Sequence, residues 1–471
     1  MTEAAHDLSD NSALIEENSA SYVPLSARHG RVSDLFTLWF TTNIAPLPIV
    51  TGASIAVTSH LSLFWVASAI FSGHFLGGCV LAACSAQGPR MGLPQMIQSR
   101  GQFGRYGALL IVLISSLLYL GFFTSNTALG GRALHGLIPQ IDPGYGAAIA
   151  ALAAVAIGIF GYNTIHFLNR VGMWFMGAAI LIAFVEAVHS LPDTVWTIGP
   201  CNLFGWFLCF STALVWNTSY ACYTSDYSRY LPETVGLKRP FISSLAGAAI
   251  GASVTFVFGA VLAASSYASS DPMSAVAALG GSLGSVLLCL FVLNIISHNA
   301  LNVYGGVLTL ITIIQTFSAS WQPKRMARVI MSAVVLTGCL TVATVFEKNI
   351  VSTFINIVVA LLSVLVPWVT VNILDFYVVK KGSYDIDSFF RADGGIYGLF
   401  DVPACLAFLA GVVVQLPVTS NAFFSGPLAH LFNGIDIGCF IAPPVTALVF
   451  LTLKRKHIGE ARERLAATQL S

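Results

Sequence analysis

Long apolar runs separated by short polar ones make up almost the whole chain. Twelve runs, each of about twenty residues or more, can be drawn at 34–57, 61–84, 107–129, 145–164, 166–188, 203–224, 241–266, 282–312, 329–346, 352–379, 401–418 and 435–453. Within each run the hydrophobic residues follow one another continuously and do not alternate with a period of two. Each run therefore predicts a membrane-spanning helix, since barrel strands would alternate. The expected fold class is an all-α integral membrane protein with twelve spans. Residues 1–32 are polar and hold no apolar core, so they predict a disordered cytoplasmic tail and not a signal peptide. Residues 455–471 predict a second cytoplasmic tail.

Two of the runs look interrupted. The first reads LWFTTNIAPLPIVTGASIAV. Pro46 and Pro48 remove two backbone donors near its middle, among Thr41, Thr42, Asn43, Thr51 and Gly52. That predicts unwound backbone, which is tolerated at membrane depth only where it lines a cavity. The sixth run reads FGWFLCFSTALVWNTSYACYTS, and Trp216, Asn217, Thr218 and Ser219 mark an expected interruption in its middle or inner half. The two interruptions are five spans apart. An odd number of helices per repeat inverts the second copy across the membrane, which predicts a five-plus-five inverted repeat with substrate between the two broken helices. The repeats would cover residues 33–190 and 203–379, leaving two further spans at 401–454.

Charge settles the expected orientation. Only 9% of residues are charged, against about 25% in a soluble domain. With the N-terminus inside, 20 of the 22 basic residues fall on cytoplasmic segments, and only Arg132 and Lys348 fall outside. This is the positive-inside pattern, with both termini cytoplasmic and the chain in the cell membrane. A net charge of +1 offers nothing to nucleic acid. The nine cysteines are scattered through apolar runs without metal-ligand spacing. No span holds a nucleophile motif or an acidic pair. The expectation is a protein that is not an enzyme, with no metal, cofactor or obligate protein partner, working in the lipid bilayer on a small molecule.

Polar side chains inside spans are costly and mark candidate sites. The third span carries GFFTSNTALGG, with Asn126 close to Phe122 and Phe123. The eighth carries FVLNIISHNALNVYGG, the densest polar cluster of any span. Asn294, His298 and Asn302 share one helical face, Ser297 lies beside it, and Asn299 is turned away by about 100°. His74 lies between Gly73 and Gly77, which fits helix packing. The inventory is amides, hydroxyls, aromatic faces and one imidazole, without a fixed counter-charge. It suits a neutral, planar, hydrogen-bonding ring. The stretch NTSYACYTSDYSRYLP leaves the sixth span at the inner surface. Its tyrosines suit the membrane interface, and Asp226 and Arg229 predict an inner gate.

WFTTNIAPLPIVTGA, GPRMGLPQMIQSRGQFGRYG, SYACYTSDYSRYLP and NIISHNALNVYG follow one another along the chain, at 39–53, 88–107, 219–232 and 294–305 within residues 31–310. Together they resemble the purine–cytosine permease branch of the nucleobase–cation symporters. The resemblance implies a twelve-span fold of the leucine-transporter type. It implies that Trp216 stacks on the substrate ring, that Asn126 and Asn302 bind its edges with His298 and Asn299 adjacent, and that Thr41 approaches it with Asn43 close by. The chain departs from the family at Phe122, where tryptophan is usual, at His298, where asparagine is common, and at Pro46 and Pro48.

The expected mechanism is uptake by alternating access, with the ring held between Trp216 and the Phe122/Phe123 side. For the coupling ion, a proton is favoured over sodium. Span eight offers Ser297 but has His298 where a second hydroxyl would be needed, and imidazole titrates near physiological pH. Glu186, at the outer end of span five, is the other ionisable candidate. Two alternatives remain: a same-fold symporter for allantoin, hydantoin, thiamine or pyridoxine, and a passive channel or facilitator.

Overall fold

The computed structural model describes residues 21–455 apart from 161, 270, 271, 281, 319, 320, 322, 324, 347 and 348, with backbone only for 159–173 and 325. In chain order the helices are α1 (Val32–Asn43), α2 (Pro46–Ser59), α3 (Leu63–Ser85), α4 (Gly88–Met91), α5 (Gln95–Phe103), α6 (Leu109–Leu137), α7 (Pro143–Phe160), α8 (Tyr162–His189) and α9 (Leu203–Tyr220). There follow α10 (Ser225–Ser228), α11 (Lys238–Ala264), α12 (Pro272–Ala277), α13 (Leu283–Phe317), α14 (Arg325–Val345), α15 (Ile350–Leu374), α16 (Val402–Gln415) and α17 (Gly438–Leu453). Each apolar run of the sequence coincides with one helix or with the pair α1–α2. Six of the described helices are long and apolar enough to cross a membrane alone, and the pair α1–α2, bent by 55°, makes a seventh.

The outer surface is apolar. Trp174, Leu181 and Leu448 are each exposed by 65% or more. Water would leave so large an apolar surface unstable, whereas lipid covers it. The polar groups lie inside, around helices that pack α6 along α13, α3 along α9, and α11 against α1, α2 and α3. Small residues allow the close approaches. A Cβ on Gly52 of α2 would lie 2.1 Å from the Phe256 carbonyl oxygen of α11.

Three expectations change here. Residues 21–31 are not a loose tail. Val23 and Arg28 are buried, Val23 N–H donates to the Gly92 carbonyl at 2.9 Å, and Gly30 N–H donates to the Tyr230 carbonyl at 2.9 Å. Residues 1–20 and 456–471, the rest of the two expected tails, lie outside the described residues, as do Lys324 and Lys348. The prolines of the first span do not sit in unwound backbone. Pro46 opens α2, where a helix has no use for the missing N–H, and the break is the pair Ile44–Ala45 just before it. In the sixth span α9 stays helical through Trp216–Ser219. It gives way only after Tyr220, to a 3-10 turn at Ala221–Tyr223 and then α10. The hydroxyls that suggested an interruption bond back along their own helix, Thr218 to the Leu214 carbonyl and Ser219 to the Trp216 carbonyl, each at 2.8 Å.

Candidate substrate-binding site

The last turn of α1 leaves carbonyls without helical partners. Neighbouring helices supply donors: Asn294 of α13 reaches the Thr41 carbonyl at 3.3 Å, and Thr255 of α11 reaches the Asn43 carbonyl at 2.9 Å. The Asn43 side chain links this break to the other broken helix. Its Nδ2 donates to the Trp39 carbonyl at 2.7 Å, and its Oδ1 accepts from the indole Nε1 of Trp216 at 2.8 Å. Both Asn43 and Trp216 are buried.

Between these helices, α6 and α13 lies a cavity of about 10 Å³, room for about one water. Trp39 and Thr42 of α1, Tyr119 of α6, Tyr220, Tyr223 and Tyr227, and His298 and Asn302 of α13 contribute to its wall. Several polar atoms around it are buried without a protein partner: Trp39 Nε1, Thr42 Oγ1, the hydroxyls of Tyr220 and Tyr223, and His298 Nδ1. Unmet donors and acceptors facing one small space are what a polar-edged ligand would satisfy.

The aromatic geometry differs from a simple sandwich. Phe122 meets Trp216 edge-on, with centroids 5.7 Å apart and planes at 84°. It lies parallel to Tyr220 instead, at 5.3 Å and 17°. Phe123 is turned out of this group and packs with Ala151, Val303 and Val307 in a second hydrophobic cluster. Asn299 likewise serves helix packing. Its Nδ2 donates to the Phe123 carbonyl and to Thr127, both at 3.1 Å, and its Oδ1 accepts from Asn302 at 3.1 Å. It therefore orients Asn302 and does not itself line the cavity. Asn126 is buried one helical turn beyond Phe122 on the same side of α6. The Thr41 hydroxyl bonds back to the Thr37 carbonyl at 2.7 Å. Ser297 is buried with its hydroxyl free of protein partners. Glu186 is far from all of these. It accepts a hydrogen bond from Tyr267 at 2.8 Å and lies against Gly280. His298 is fifteen residues beyond the start of α13, or roughly 22 Å along the helix at 1.5 Å per residue.

On the side of the cavity towards α10, its aromatic wall residues pack densely on one another. Tyr119 stacks on Tyr223 at 4.2 Å, and Trp39 meets Tyr227 edge-on at 6.2 Å. Gly305 of α13 makes room for this layer, since a Cβ there would lie 1.9 Å from the Tyr119 ring. Asp226 and Arg229 anchor it, and both are fully buried, not solvated at a surface. Asp226 accepts from the Gln95 backbone at 2.8 Å and from the Tyr119 hydroxyl at 3.0 Å. Burial raises its carboxyl to about 6, although the Gln95 N–H, the nearby Arg229 cation and Tyr119 all pull the other way. Arg229 donates to the Asp226 carbonyl, to the Ser21 carbonyl at 3.0 Å, and to the Tyr230 and Tyr304 hydroxyls. The four tyrosines expected at the membrane interface are thus interior residues. Their spacing at 220, 223, 227 and 230 follows one helical face, which was the available signal.

The fold and this arrangement can be set beside known proteins. A family model described as permease for cytosine/purines, uracil, thiamine, allantoin matches residues 22–442. The chain belongs to this permease family. A putative purine-cytosine permease of Bacillus subtilis, YxlA, is 31% identical over 449 residues, covering 94% of this chain and 97% of that one. The purine-cytosine permease fcyB of Emericella nidulans is 24% identical, covering 93% and 88%. In structure the permease resembles Mhp1, a nucleobase-cation-symport-1 family transporter solved in a closed conformation with bromovinylhydantoin bound. The TM-score is 0.73 at 16% identity, covering 95% and 97% of the two chains. The family is made of permeases, and among the described residues the fold is helical, with several helices apolar enough to cross a membrane.

Proposed function

We propose that the protein is a secondary active symporter. It would import a neutral nucleobase, cytosine or a purine, by alternating access. Twelve spans, a five-plus-five inverted repeat and cytoplasmic termini complete this reading. One observation carries it: the buried site between the two broken helices is walled by aromatic rings and by neutral polar groups, Thr42, His298 and Asn302, with no charged side chain in the wall. A flat neutral ring with donors and acceptors on its edge is the ligand such a wall can hold. Asn302, oriented by Asn299, would bind one edge, and Asn126 and the α1 end another. The aromatic layer with Asp226 and Arg229 would be the inner gate. A proton is the favoured coupling ion, carried by His298, which sits against the Thr42 backbone at the break in α1. Ser297 and Glu186 are weaker candidates, Glu186 because of its distance.

The test is uptake of labelled cytosine into cells lacking their own permeases, with unlabelled rings as competitors and a protonophore control. Accumulation that adenine competes for and the protonophore abolishes is expected. Entry of a hydantoin, allantoin or a vitamin ring with cytosine ignored would overturn the substrate and keep the fold. Uptake that never exceeds equilibrium would replace the symporter with a facilitator. Full pH-driven accumulation in His298→Asn would remove that residue as proton carrier.

A further inference from the structure

Tyr220 occupies an unusual place in the site. It is the last residue of α9, one turn beyond Trp216 and so on the same face. Its ring lies parallel to Phe122 at 5.3 Å and 17°. Trp216 meets the same Phe122 edge-on, so Tyr220 and not Trp216 covers that aromatic face. Trp39 and Tyr223 close around Tyr220, each with centroids at 5.6 Å. Its hydroxyl is buried without a protein partner. The residue thus presents a flat ring with an unmet polar edge, stacked on a core aromatic at the wall of the cavity. These are the features expected of a substrate.

The cavity, at about 10 Å³, admits no heterocycle until one wall residue moves. Several of the other site residues are held by polar bonds. Trp216 is bonded to Asn43 and Tyr119 to Asp226, while Asn302 is tied to Asn299. Tyr220 has no such bond, and neither do Trp39 Nε1 and the Tyr223 hydroxyl. Of these three, Tyr220 is the one that lies parallel to Phe122 and stands where α9 gives way to the 3-10 turn, so its ring is the one placed to leave that face.

We propose that Tyr220 is a specificity-determining residue whose ring competes with substrate for the face of Phe122. Resting on the nucleobase reading above, this means that an incoming ring displaces Tyr220 and takes over its stacking partner. The apparent affinity of every substrate is then reduced by the fraction of time Tyr220 holds the face. The space Tyr220 can vacate limits ring size, so one-ring substrates are favoured over two-ring ones.

The test measures binding of cytosine and adenine to the purified full-length protein, wild type against Tyr220→Leu and Tyr220→Phe. Leucine cannot stack. Removing a competitor that holds the site nine-tenths of the time would tighten binding by up to about tenfold, with the larger gain for adenine. Phenylalanine keeps the competing ring and loses a hydroxyl that bonds to nothing, so both ligands should bind no more tightly than to wild type. Loss of binding in Tyr220→Leu with a folded protein would make Tyr220 a substrate contact and overturn the proposal, as would an unchanged adenine-to-cytosine ratio. Should the leucine variant fail to fold, tighter binding in the phenylalanine variant alone overturns it. Absence of binding by the wild type to any ring would instead refute the nucleobase reading itself.

Discussion

The two broken helices that frame the site are broken by different means. Between α1 and α2 the cause is local. Pro46 cannot continue a helix with a bonded N–H, Ile44–Ala45 form a two-residue hinge, and the axis turns by 55°. The freed carbonyls are then collected by Thr255 and Asn294. After α9 nothing local forces a break, since residues 217–228 contain no proline or glycine. The backbone is drawn out of helix by its surroundings. Gln95 of α5 offers its side-chain carbonyl to Ser225 N–H and the Thr224 hydroxyl, both at 3.3 Å, while its own N–H is taken by Asp226. A break written into the chain keeps its place whatever its neighbours do. A break imposed by another segment can be released when that segment moves, which suits the end of α9 to gating.

Cutting the imposed break should have the largest effect. Asp226→Ala leaves the Gln95 N–H and the Tyr119 hydroxyl buried without a partner, a loss of about 3 kcal/mol. Melting of the purified protein should fall by several degrees, and Asp226→Asn, which still accepts, should recover most of it. The pH dependence sharpens the point. With its carboxyl raised from 3.8 to about 6, folded Asp226 holds a proton that the unfolded chain has already lost between those values. Its contribution to stability is therefore present below about pH 4 and declines as pH rises through 6. A melting profile lacking that slope in wild type, or keeping it in Asp226→Asn, would show that another group is responsible.

Next in size is the link between the breaks. Trp216→Ala removes an aromatic face worth about 1–3 kcal/mol per stacked base, so saturable uptake should weaken by roughly 5- to 150-fold with protein still in the membrane. Trp216→Phe keeps a face and loses only the bond to Asn43. It should retain part of the transport, and wild-type kinetics in the alanine variant would remove Trp216 from the site. Thr255→Val should cost about 1 kcal/mol, because the Asn43 carbonyl loses one donor. Pro46→Ala should change melting least, by under about 1 kcal/mol, because Thr255 and Asn294 still hold the end of α1. If Pro46→Ala proved as damaging as Asp226→Ala, the two breaks would not differ in kind.

The same contrast explains what could be read from the chain. The helices and the break beside Pro46 follow from residue type and spacing, which act locally, whereas the roles expected of Trp216 and Asn302 come from the family resemblance. The second break was expected four residues too early because Asn217, Thr218 and Ser219 look like an interruption. Their hydroxyls instead bond within the helix, and Asn217 reaches the His74 carbonyl of α3 at 3.0 Å. Phe123 is paired with Phe122 because they adjoin in sequence, and Asn299 is placed beside the substrate by the family resemblance, yet on a helix adjacent residues point about 100° apart. The parallel pairing of Phe122 with Tyr220 depends on how α6 and α9 pack, which no pattern within either segment records.

The buried contact between Arg229 and Ser21 has a consequence for biosynthesis. Its two ends are 208 residues apart in the chain. At a synthesis rate of about 5–20 residues per second, Ser21 leaves the ribosome roughly 10–40 seconds before Arg229 exists to receive it. Through that interval the segment carrying Val23 and Arg28 has no complete docking site, although the helices between Ser21 and Arg229 are already being made. This face of the bundle is thus assembled from its earliest and its middle parts, and the order of translation makes docking of the first segment a late event.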